Sequence, residues 1–289
     1  SYKNWRVLIR DDGSTDNTIE IIKEYVGRNP QQFILIEDAE KNLGACQSFA
    51  RLMEHSDSDY LMFCDQDDVW HPQKIEISLK KIKELEKKYF SMPILVHTDL
   101  RVVDESLQLI ADSFWAYQCL YSQYDQLSSL LVQNIVTGNT VIINKELKKL
   151  VLPIPKQAIM HDWWIALVAS AFGVIGKIDC GMVDYRQHSS NNTGAKKYSR
   201  LYFFSRIAKI NESKSSNLRI LNQGRAFLKQ YEPQLTEDQK QIVTAFVNLL
   251  SVNLPKRIFT LIKYKFKKHG IIRNLGFIII LTLTRRNKK

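Results

Sequence analysis

Short apolar runs alternate with amphipathic stretches along the first hundred residues, and this alternation constrains the fold more than any other feature. The apolar runs with the length of a buried strand are residues 5–9, 33–36, 60–64 and 94–97. The stretches between them carry apolar side chains at helical spacing. Alternation of this kind predicts an α/β fold with a mostly parallel sheet flanked by helices.

The second half of the chain changes from this alternation to helices. Two more strands are predicted, over residues 141–143 and 174–178, with a helix over residues 163–171 between them. Residues 189–198 are polar and contain glycine, which is typical of a mobile loop. The helices predicted beyond this loop cover residues 201–210, 217–231 and 237–252.

Positive charge is concentrated at the C-terminal end. The chain carries a net charge of +11, and residues 239–289 hold twelve lysines and arginines with no acidic residue. A basic amphipathic helix is predicted from Pro255. The apolar run that follows, residues 276–283, is too short to span a bilayer, which takes roughly 20 residues. This combination predicts in-plane contact with an anionic membrane surface. Alternatively, the apolar face packs on the rest of the protein and the lysines are simply solvated.

Nucleic acid suits this basic segment less well. Its lysines alternate with aliphatic side chains, whereas binders of single strands stack bases on aromatic rings. The four cysteines are scattered without metal-ligand spacing, which argues against a zinc site and a disulfide framework. Because the N-terminus has no signal-peptide pattern, we expect a cytoplasmic protein, peripheral on the inner face of the cell membrane.

Two acidic turns directly follow predicted strands. The sequence DQDD occupies residues 65–68, and DDGSTD occupies residues 11–16. Carboxylates crowded behind a strand suit a hard divalent cation, which takes oxygen ligands together with substrate phosphates. A carboxylate in the other turn could accept hydrogen bonds from a base or a ribose. Each turn could instead cap the helix that follows it, and Asp16 is well placed to do so.

Two motifs in the second half add further candidates. HDWW at residues 161–164 places Asp162 at the start of an apolar helix. Burial there would raise the pKa of the carboxyl and make it a better base, although an ordinary helix cap is the alternative. YRQH at residues 185–188 offers His188 as a metal ligand and Arg186 as a partner for phosphate or a carboxylate. A lone histidine is more often structural.

Together and in this order, these motifs resemble glycosyltransferase family 2. The resemblance rests on DDGSTD, KNLG at residues 41–44, DQDDVWHP, TGN at residues 137–139, HDWW and RQH, and covers roughly residues 1–197. HDWW with YRQHSSNNTG is most similar to the rhamnosyltransferase-like branch. The family domain opens with a central strand and a TYN-like turn, which this sequence lacks before SYKNWRV. The resemblance implies a GT-A, Rossmann-like fold with a helical basic extension at the C-terminus.

By this resemblance, the motifs carry out an inverting sugar transfer. Asp162 matches the general base of the family. Asp67 would hold Mg²⁺ or Mn²⁺ on the donor diphosphate, and His188 matches a residue beside the diphosphate and the metal. The residues expected to contact the nucleotide sugar are Asp11, Asp12, Asn42, Gly44, Asp65, Asp99, Gly138, Asn139 and Arg186.

The expected function is therefore transfer of a sugar from a nucleotide diphosphate to a glycan or lipid-linked glycan in cell-surface polysaccharide synthesis. The resemblance favours dTDP-rhamnose as the donor. The alternatives are a UDP-hexose transferase, a truncated and inactive nucleotide-sugar binding module, and a sugar nucleotidyltransferase, although HDWW and RQH have no place in the last. We expect residues 1–197 to form the catalytic domain and residues 198–289 a helical, basic, membrane-associated region.

Overall fold

The computed structural model describes residues 1–188 and 210–284. The strands in this part of the chain are β1 Val7–Ile9, β2 Phe33–Leu35, β3 Tyr60–Met62, β4 Val69–Trp70, β5 Ile94–Val103, β6 Leu109–Ala111, β7 Ile142–Asn144 and β8 Val174–Arg186. Every strand predicted from an apolar run is present. Strands β5 and β8 continue well beyond their predicted ends, and the short strands β4 and β6 were not predicted.

Helices follow or separate these strands. They are α1 Thr18–Arg28, α2 Ala45–His55, α3 Lys74–Lys88, α4 Phe114–Tyr117, α5 Leu127–Leu130, α6 Lys145–Val151, α7 His161–Phe172, α8 Ile210–Tyr231, α9 Glu237–Val247, α10 Leu254–Lys263 and α11 Ile271–Leu283. None of the helices in the described residues is long and apolar enough to cross a membrane. The loop predicted over residues 189–198 and residues 201–209 of a predicted helix lie outside the described residues.

The strands form two sheets. Strands β1 and β2 pair in parallel as a sheet of their own, and the second sheet has the order β3-β7-β5-β8-β4 with β6 on β5. Within the second sheet only β5 and β8 are parallel, while the β3–β7, β5–β7, β4–β8 and β5–β6 pairs are antiparallel. The α/β class is confirmed, and the longest ladder in the described residues is the parallel one between β5 and β8.

The connections explain this mixture of strand directions. A parallel pair needs a crossover connection, usually through a helix, and α1 supplies it between β1 and β2. Strand β6 instead follows β5 through a tight turn in which Asp104 N donates to Gln108 O. Strand β7 follows a one-turn 3₁₀ helix, Gly138–Thr140, rather than a crossover helix. The apolar runs of the sequence give strand positions but not strand directions.

A single core joins the sheet to the C-terminal helices. Helix α7 is apolar on all sides and almost wholly buried, as a helix inside a core must be. The Trp164 ring lies 5.8 Å from that of Phe227 and 6.0 Å from that of Tyr231 in α8. The Tyr231 hydroxyl also donates to Leu150 O at 2.8 Å. The described residues on the two sides of the predicted domain boundary therefore share one hydrophobic core.

The strands of the described residues form two sheets that share no strand pairing. In the described residues, β1 pairs only with β2, and β3 pairs only with β7. All residues of β1 and β3 are half-buried, whereas β7 is fully buried. Arg6, just before β1, forms an exposed ion pair of 2.5 Å with Asp57, just before β3. In the described part of the chain, β1 and β3 therefore lie at the ends of separate sheets.

Candidate active site

The acidic turn after β3 is the centre of the site. Asp65 and Asp68 are half-buried, and burial raises the pKa of each to about 6. Mutual repulsion with Asp67 adds to the shift for both carboxyls. Carboxylates held this close in a partly dry setting favour a cation or a proton among them.

Residues at the end of β8 and just after it contact this turn. His188 Nε2 lies 2.7 Å from Asp67 Oδ2, so the predicted metal pair is brought together across 121 residues of sequence. Arg186 N donates to Asp68 Oδ1 at 3.0 Å. The Asn139 side-chain amide donates to the other oxygen of Asp68. Asp68, which was not among the predicted site residues, therefore connects two of them, Arg186 and Asn139, to the acidic turn.

Asp162 lies near the acidic turn, close enough for the charge of Asp65 to affect it. It is buried in the first turn of α7 and accepts a hydrogen bond from Gly138 N at 2.9 Å. The pKa of Asp162 is raised to about 7, mainly by burial and to a lesser extent by the nearby charge of Asp65. The hydrogen bond from Gly138 opposes this shift. A carboxyl with a pKa near neutrality is well suited to accept a proton at physiological pH.

An aromatic floor supports Gly138 and Asp162. The His161 ring lies 4.1 Å from the ring of Phe49 and 4.8 Å from that of Phe63. Neither ring nitrogen of His161 has a hydrogen-bond partner in the described part of the chain, and burial lowers its pKa to about 3. His161 is therefore a neutral packing residue. The His161 ring lies against Gly138, so a residue with a side chain does not fit at position 138.

Gly138→Ala should damage the site through this contact. A Cβ at residue 138 would lie 2.9 Å from His161 Nε2 and 3.1 Å from Cε1, so the turn that donates to Asp162 must shift. We expect a loss of about 1–3 kcal/mol in the free energy of unfolding and about a hundredfold lower turnover. Thermal denaturation and initial rates measure the two effects.

Gly27→Ala is the matched control, since nothing lies within 4 Å of a Cβ there. Helix α1 should gain about 0.5–1 kcal/mol from this change, with turnover unchanged. Wild-type stability and turnover in Gly138→Ala would show that the glycine is not required.

The turn after β1 is the predicted nucleotide side of the site. Asp12 accepts hydrogen bonds from Leu43 N at 2.9 Å and Gly44 N at 2.7 Å. Asn42 and Gly44 adopt positive φ values of 58° and 77°, so the loop at residues 41–44 has a shape that glycine and asparagine tolerate. Asp11 accepts from Gly13 N and Ser14 N within its own turn. These predicted residues therefore fix the shape of two adjoining loops.

Arg10 underlies both loops and was missed by the sequence analysis. Its fully buried guanidinium makes a bidentate pair with Asp38, at 2.8 and 3.0 Å, and donates to Asp12 Oδ1 at 2.7 Å. These carboxylates hold the pKa of Arg10 above its usual value. An arginine between an apolar strand and an acidic turn was the available signal.

Asp99 forms hydrogen bonds that hold local structure together. Its carboxylate accepts hydrogen bonds from Leu100 N, Trp115 N and the Ser113 hydroxyl, and so fixes the start of α4 against β5. Burial raises its pKa. The expected contact of Asp99 with donor-sugar hydroxyls stays a prediction, and so do the ligand contacts of the other candidates.

Known proteins resemble this chain in sequence and in fold. The model of the family described as glycosyl transferase family 2 matches residues 1–151, about half of the chain. The chain belongs to glycosyltransferase family 2. Among curated family relatives, the dTDP-rhamnosyl transferase RfbG of Shigella flexneri is 26% identical over 210 residues, which cover 68% of each chain. An uncharacterized protein of Mycobacterium tuberculosis is 27% identical over 63% of this chain, which spans only half of that protein.

Solved structures show the fold of this family 2 chain. TarS residues 1–349 of S. aureus, in complex with UDP-GlcNAc, matches with a TM-score of 0.54 at 15% identity, over 96% of this chain and 80% of that one. This similarity confirms the GT-A fold expected from the sequence. The match extends beyond residue 151, so the helical C-terminal part takes part in the structural similarity.

The donor set of this family 2 site fits a metal that is shared with a substrate. No group of three or more His, Cys, Asp or Glu side chains in the described residues could hold a metal ion by itself. Asp67 and His188 form a pair instead. Mg²⁺ and similar ions often take one or two protein ligands and complete their shell with phosphate oxygens and water. The Asp67–His188 pair has the number of side chains that this pattern needs.

The pH dependence of turnover should report the ionisation of Asp162. As a base, the carboxyl must be deprotonated, and its pKa is raised to about 7. We expect kcat to be half-maximal at about pH 7, to level off above it, and to fall about tenfold for each pH unit well below it. Initial rates between pH 5.5 and 8.5 measure this. A rate that stays flat from pH 5.5 upward would contradict a base of this pKa.

Proposed function

We propose that this chain transfers a sugar, with inversion, from a nucleotide diphosphate to a hydroxyl of a glycan or lipid-linked glycan in cell-surface polysaccharide synthesis. One observation carries the proposal: the consecutive residues Gly138 and Asn139 donate hydrogen bonds to Asp162 and to Asp68, next to the Asp67–His188 pair. The proposed base and the proposed metal ligands would thus act in one site, an arrangement that suits displacement at an anomeric carbon.

Asp162 is the proposed general base. It accepts the proton of the acceptor hydroxyl while that oxygen attacks the anomeric carbon and the bond from this carbon to the diphosphate breaks. The hydrogen bond from Gly138 N at 2.9 Å orients the carboxylate. Burial raises the pKa of Asp162 to about 7, which favours proton transfer near neutral pH.

Asp67 and His188 are the proposed ligands of Mg²⁺ or Mn²⁺. When bound, the ion would neutralise charge on the leaving diphosphate. We favour Mn²⁺, because an imidazole nitrogen is a poorer ligand for Mg²⁺, which prefers oxygen. Asp65 and Arg186 lie beside this pair in the sequence and are proposed to contact the ribose and the phosphates.

The proposed donor is dTDP-rhamnose. This choice is supported by the similarity to the dTDP-rhamnosyl transferase RfbG over 68% of the chain, together with the motif pair HDWW and YRQH. A UDP-hexose is the second candidate, supported by the structural similarity to TarS, which was solved with UDP-GlcNAc. The proposed location of the protein is the cytoplasmic face of a membrane, where it would meet a lipid-linked acceptor.

A donor panel tests the proposal. Purified full chain is incubated with Mn²⁺ and either dTDP-rhamnose, UDP-glucose or UDP-GlcNAc, and release of the nucleoside diphosphate is measured with and without a lipid-linked glycan acceptor. We expect acceptor-dependent release from dTDP-rhamnose. Preference for a UDP-sugar would correct the donor alone. If every donor binds and none is consumed, the chain is a nucleotide-sugar binding module and the proposed activity is wrong.

A further inference from the structure

Helices α10 and α11 each combine a buried apolar face with an exposed apolar row. In α10, Leu254, Ile258 and Ile262 are exposed at positions i, i+4 and i+8, and Phe259 lies beside them. The row in α11 has the same spacing and consists of Ile271, Leu275 and Ile279. The exposed fraction reaches 73% for Ile262, 64% for Phe259 and 81% for Ile271. Apolar rows of this kind usually mark a contact with a partner or a membrane.

The opposite faces of both helices are anchored. Leu261 in α10 and Phe277 and Leu281 in α11 belong to the main core. The buried guanidinium of Arg257 in α10 donates to Leu281 O and Thr284 O at the end of α11. Both helices are therefore packed on the rest of the protein through their opposite faces. The exposed apolar rows belong to folded helices and not to helices that have come loose from the core.

The segment between the two helices is fixed to the rest of the chain. His269 N donates to Gln133 Oε1 at 2.8 Å, and Tyr121 N donates to His269 Nδ1 at 3.0 Å. Phe266 packs on Phe246 of α9 with ring centroids 5.1 Å apart. A surface that docks through this hairpin would thus hold the catalytic part at a set orientation.

Charge identifies the occupant of the rows. Lys256 and Lys263 are exposed and lie three and four residues from Phe259, so they adjoin the apolar row of α10. Residues 239–289 contain no acidic side chain to neutralise them. Lysines beside exposed aliphatic and aromatic side chains match a bilayer interface, where acyl chains take the apolar row and anionic headgroups the ammonium groups.

We propose that the α10–α11 hairpin is the membrane-docking surface of this protein and that its partner is a bilayer containing anionic lipid. This inference deepens the proposed function, since it names the element that brings the site to a lipid-linked acceptor. The hairpin docks in the plane of the interface and does not cross the bilayer.

Vesicle flotation of the full chain tests the surface. Phe259→Ser with Ile262→Ser removes the most exposed apolar side chains of α10. Ile21→Ser with Tyr25→Ser on α1 is the matched control, because these side chains are 54% and 50% exposed and lie one helical turn apart, as Phe259 and Ile262 do. The first double variant should lose at least about tenfold in partitioning onto vesicles with 30% phosphatidylglycerol. The control should float like the wild type.

Charge is tested separately. Lys256→Gln and Lys263→Gln should each lower partitioning about fivefold, with no effect on neutral phosphatidylcholine vesicles. Equal flotation of the wild type and the Phe259/Ile262 variant would overturn the assignment. So would dimers of the wild type that this variant converts to monomers without any flotation, or retention on DNA in place of vesicles.

Activity separates this inference from the proposed function. Donor turnover with a water-soluble acceptor should be the same in the wild type and the Phe259/Ile262 variant. If the wild type floats but consumes no nucleotide sugar, the proposed function fails while the docking surface stands. If it transfers sugar but does not float, the reverse holds.

Discussion

Asp162→Asn is expected to lower kcat by about 10²- to 10⁴-fold, the usual contribution of a general base. The amide cannot take the proton of the acceptor, but its oxygen can still accept the hydrogen bond from Gly138 N. Donor affinity should therefore stay close to that of the wild type. Single-turnover transfer measures the first effect, and calorimetric titration with dTDP-rhamnose and Mn²⁺ measures the second.

Stability offers an independent check on this variant. The pKa of Asp162 is raised from 3.8 to about 7 in the folded protein, so the folded state holds a proton that the unfolded state releases. The wild type therefore loses stability as the pH rises from about 4 to about 7. The asparagine variant should lack this loss and should melt no lower than the wild type at pH 8.

Asp179→Asn, on an exposed part of β8, is the control for the charge change and should leave both kcat and stability unaltered. Full turnover in Asp162→Asn would show that another group accepts the proton. Loss of donor binding together with turnover would show that Asp162 holds the donor rather than activates the acceptor.

Asp67→Ala is expected to abolish metal-dependent donor binding. The change removes one member of the only ligand pair that we propose for the cation, and leaves His188 without the carboxylate that lies 2.7 Å from its Nε2. Loss of an outer partner of a metal ligand already costs about 10- to 100-fold in metal affinity, so loss of a ligand should cost at least about 100-fold. Titration with dTDP or UDP in the presence of Mn²⁺, and then of EDTA, measures the effect.

Asp104→Ala serves as the control for removing a carboxylate. Asp104 accepts hydrogen bonds only within its own turn, from Ser106 N and Gln108 N, among the contacts described, so nucleotide binding should stay metal-dependent. If Asp67→Ala binds nucleotide as tightly as the wild type and still responds to EDTA, the metal lies elsewhere. If wild-type binding ignores EDTA, the reaction uses the side chains of the site without a cation.

The sequence predicted much of the fold because its strong signals are local. Apolar periodicity located the strands and α7, whose buried face is fixed by side chains close together in sequence. Strands β4 and β6 are too short for a periodic signal. The direction of β7 depends on pairing with β3 and β5, which lie about 80 and 45 residues earlier, and no local pattern encodes that choice.

The candidate site was predictable in its members but not in its connections. Motif order pointed to Asp67, Asp162 and His188, and the structure brings them into one region. The role of Asp68 could not be predicted, because its partners Arg186 and Asn139 lie far away in the chain. Arg10 has a nearby partner in Asp12, but its bidentate partner Asp38 lies 28 residues further on. Hydrogen bonds over such separations leave no trace in spacing.

The division of the strands into two sheets has a consequence for how the protein would respond to its donor. The β1–β2 sheet carries Asp12 and the loop at residues 41–44, whereas the other sheet carries the acidic turn and Asp162. A nucleotide sugar that touches both, as proposed, would connect two sheets whose strands do not pair with each other in the part of the chain that the structure describes. Bound substrate would then link the two sheets to each other. As the fraction of protein with donor bound rises, the β1–β2 sheet would become more rigid, because a ligand stabilises the folded state that binds it.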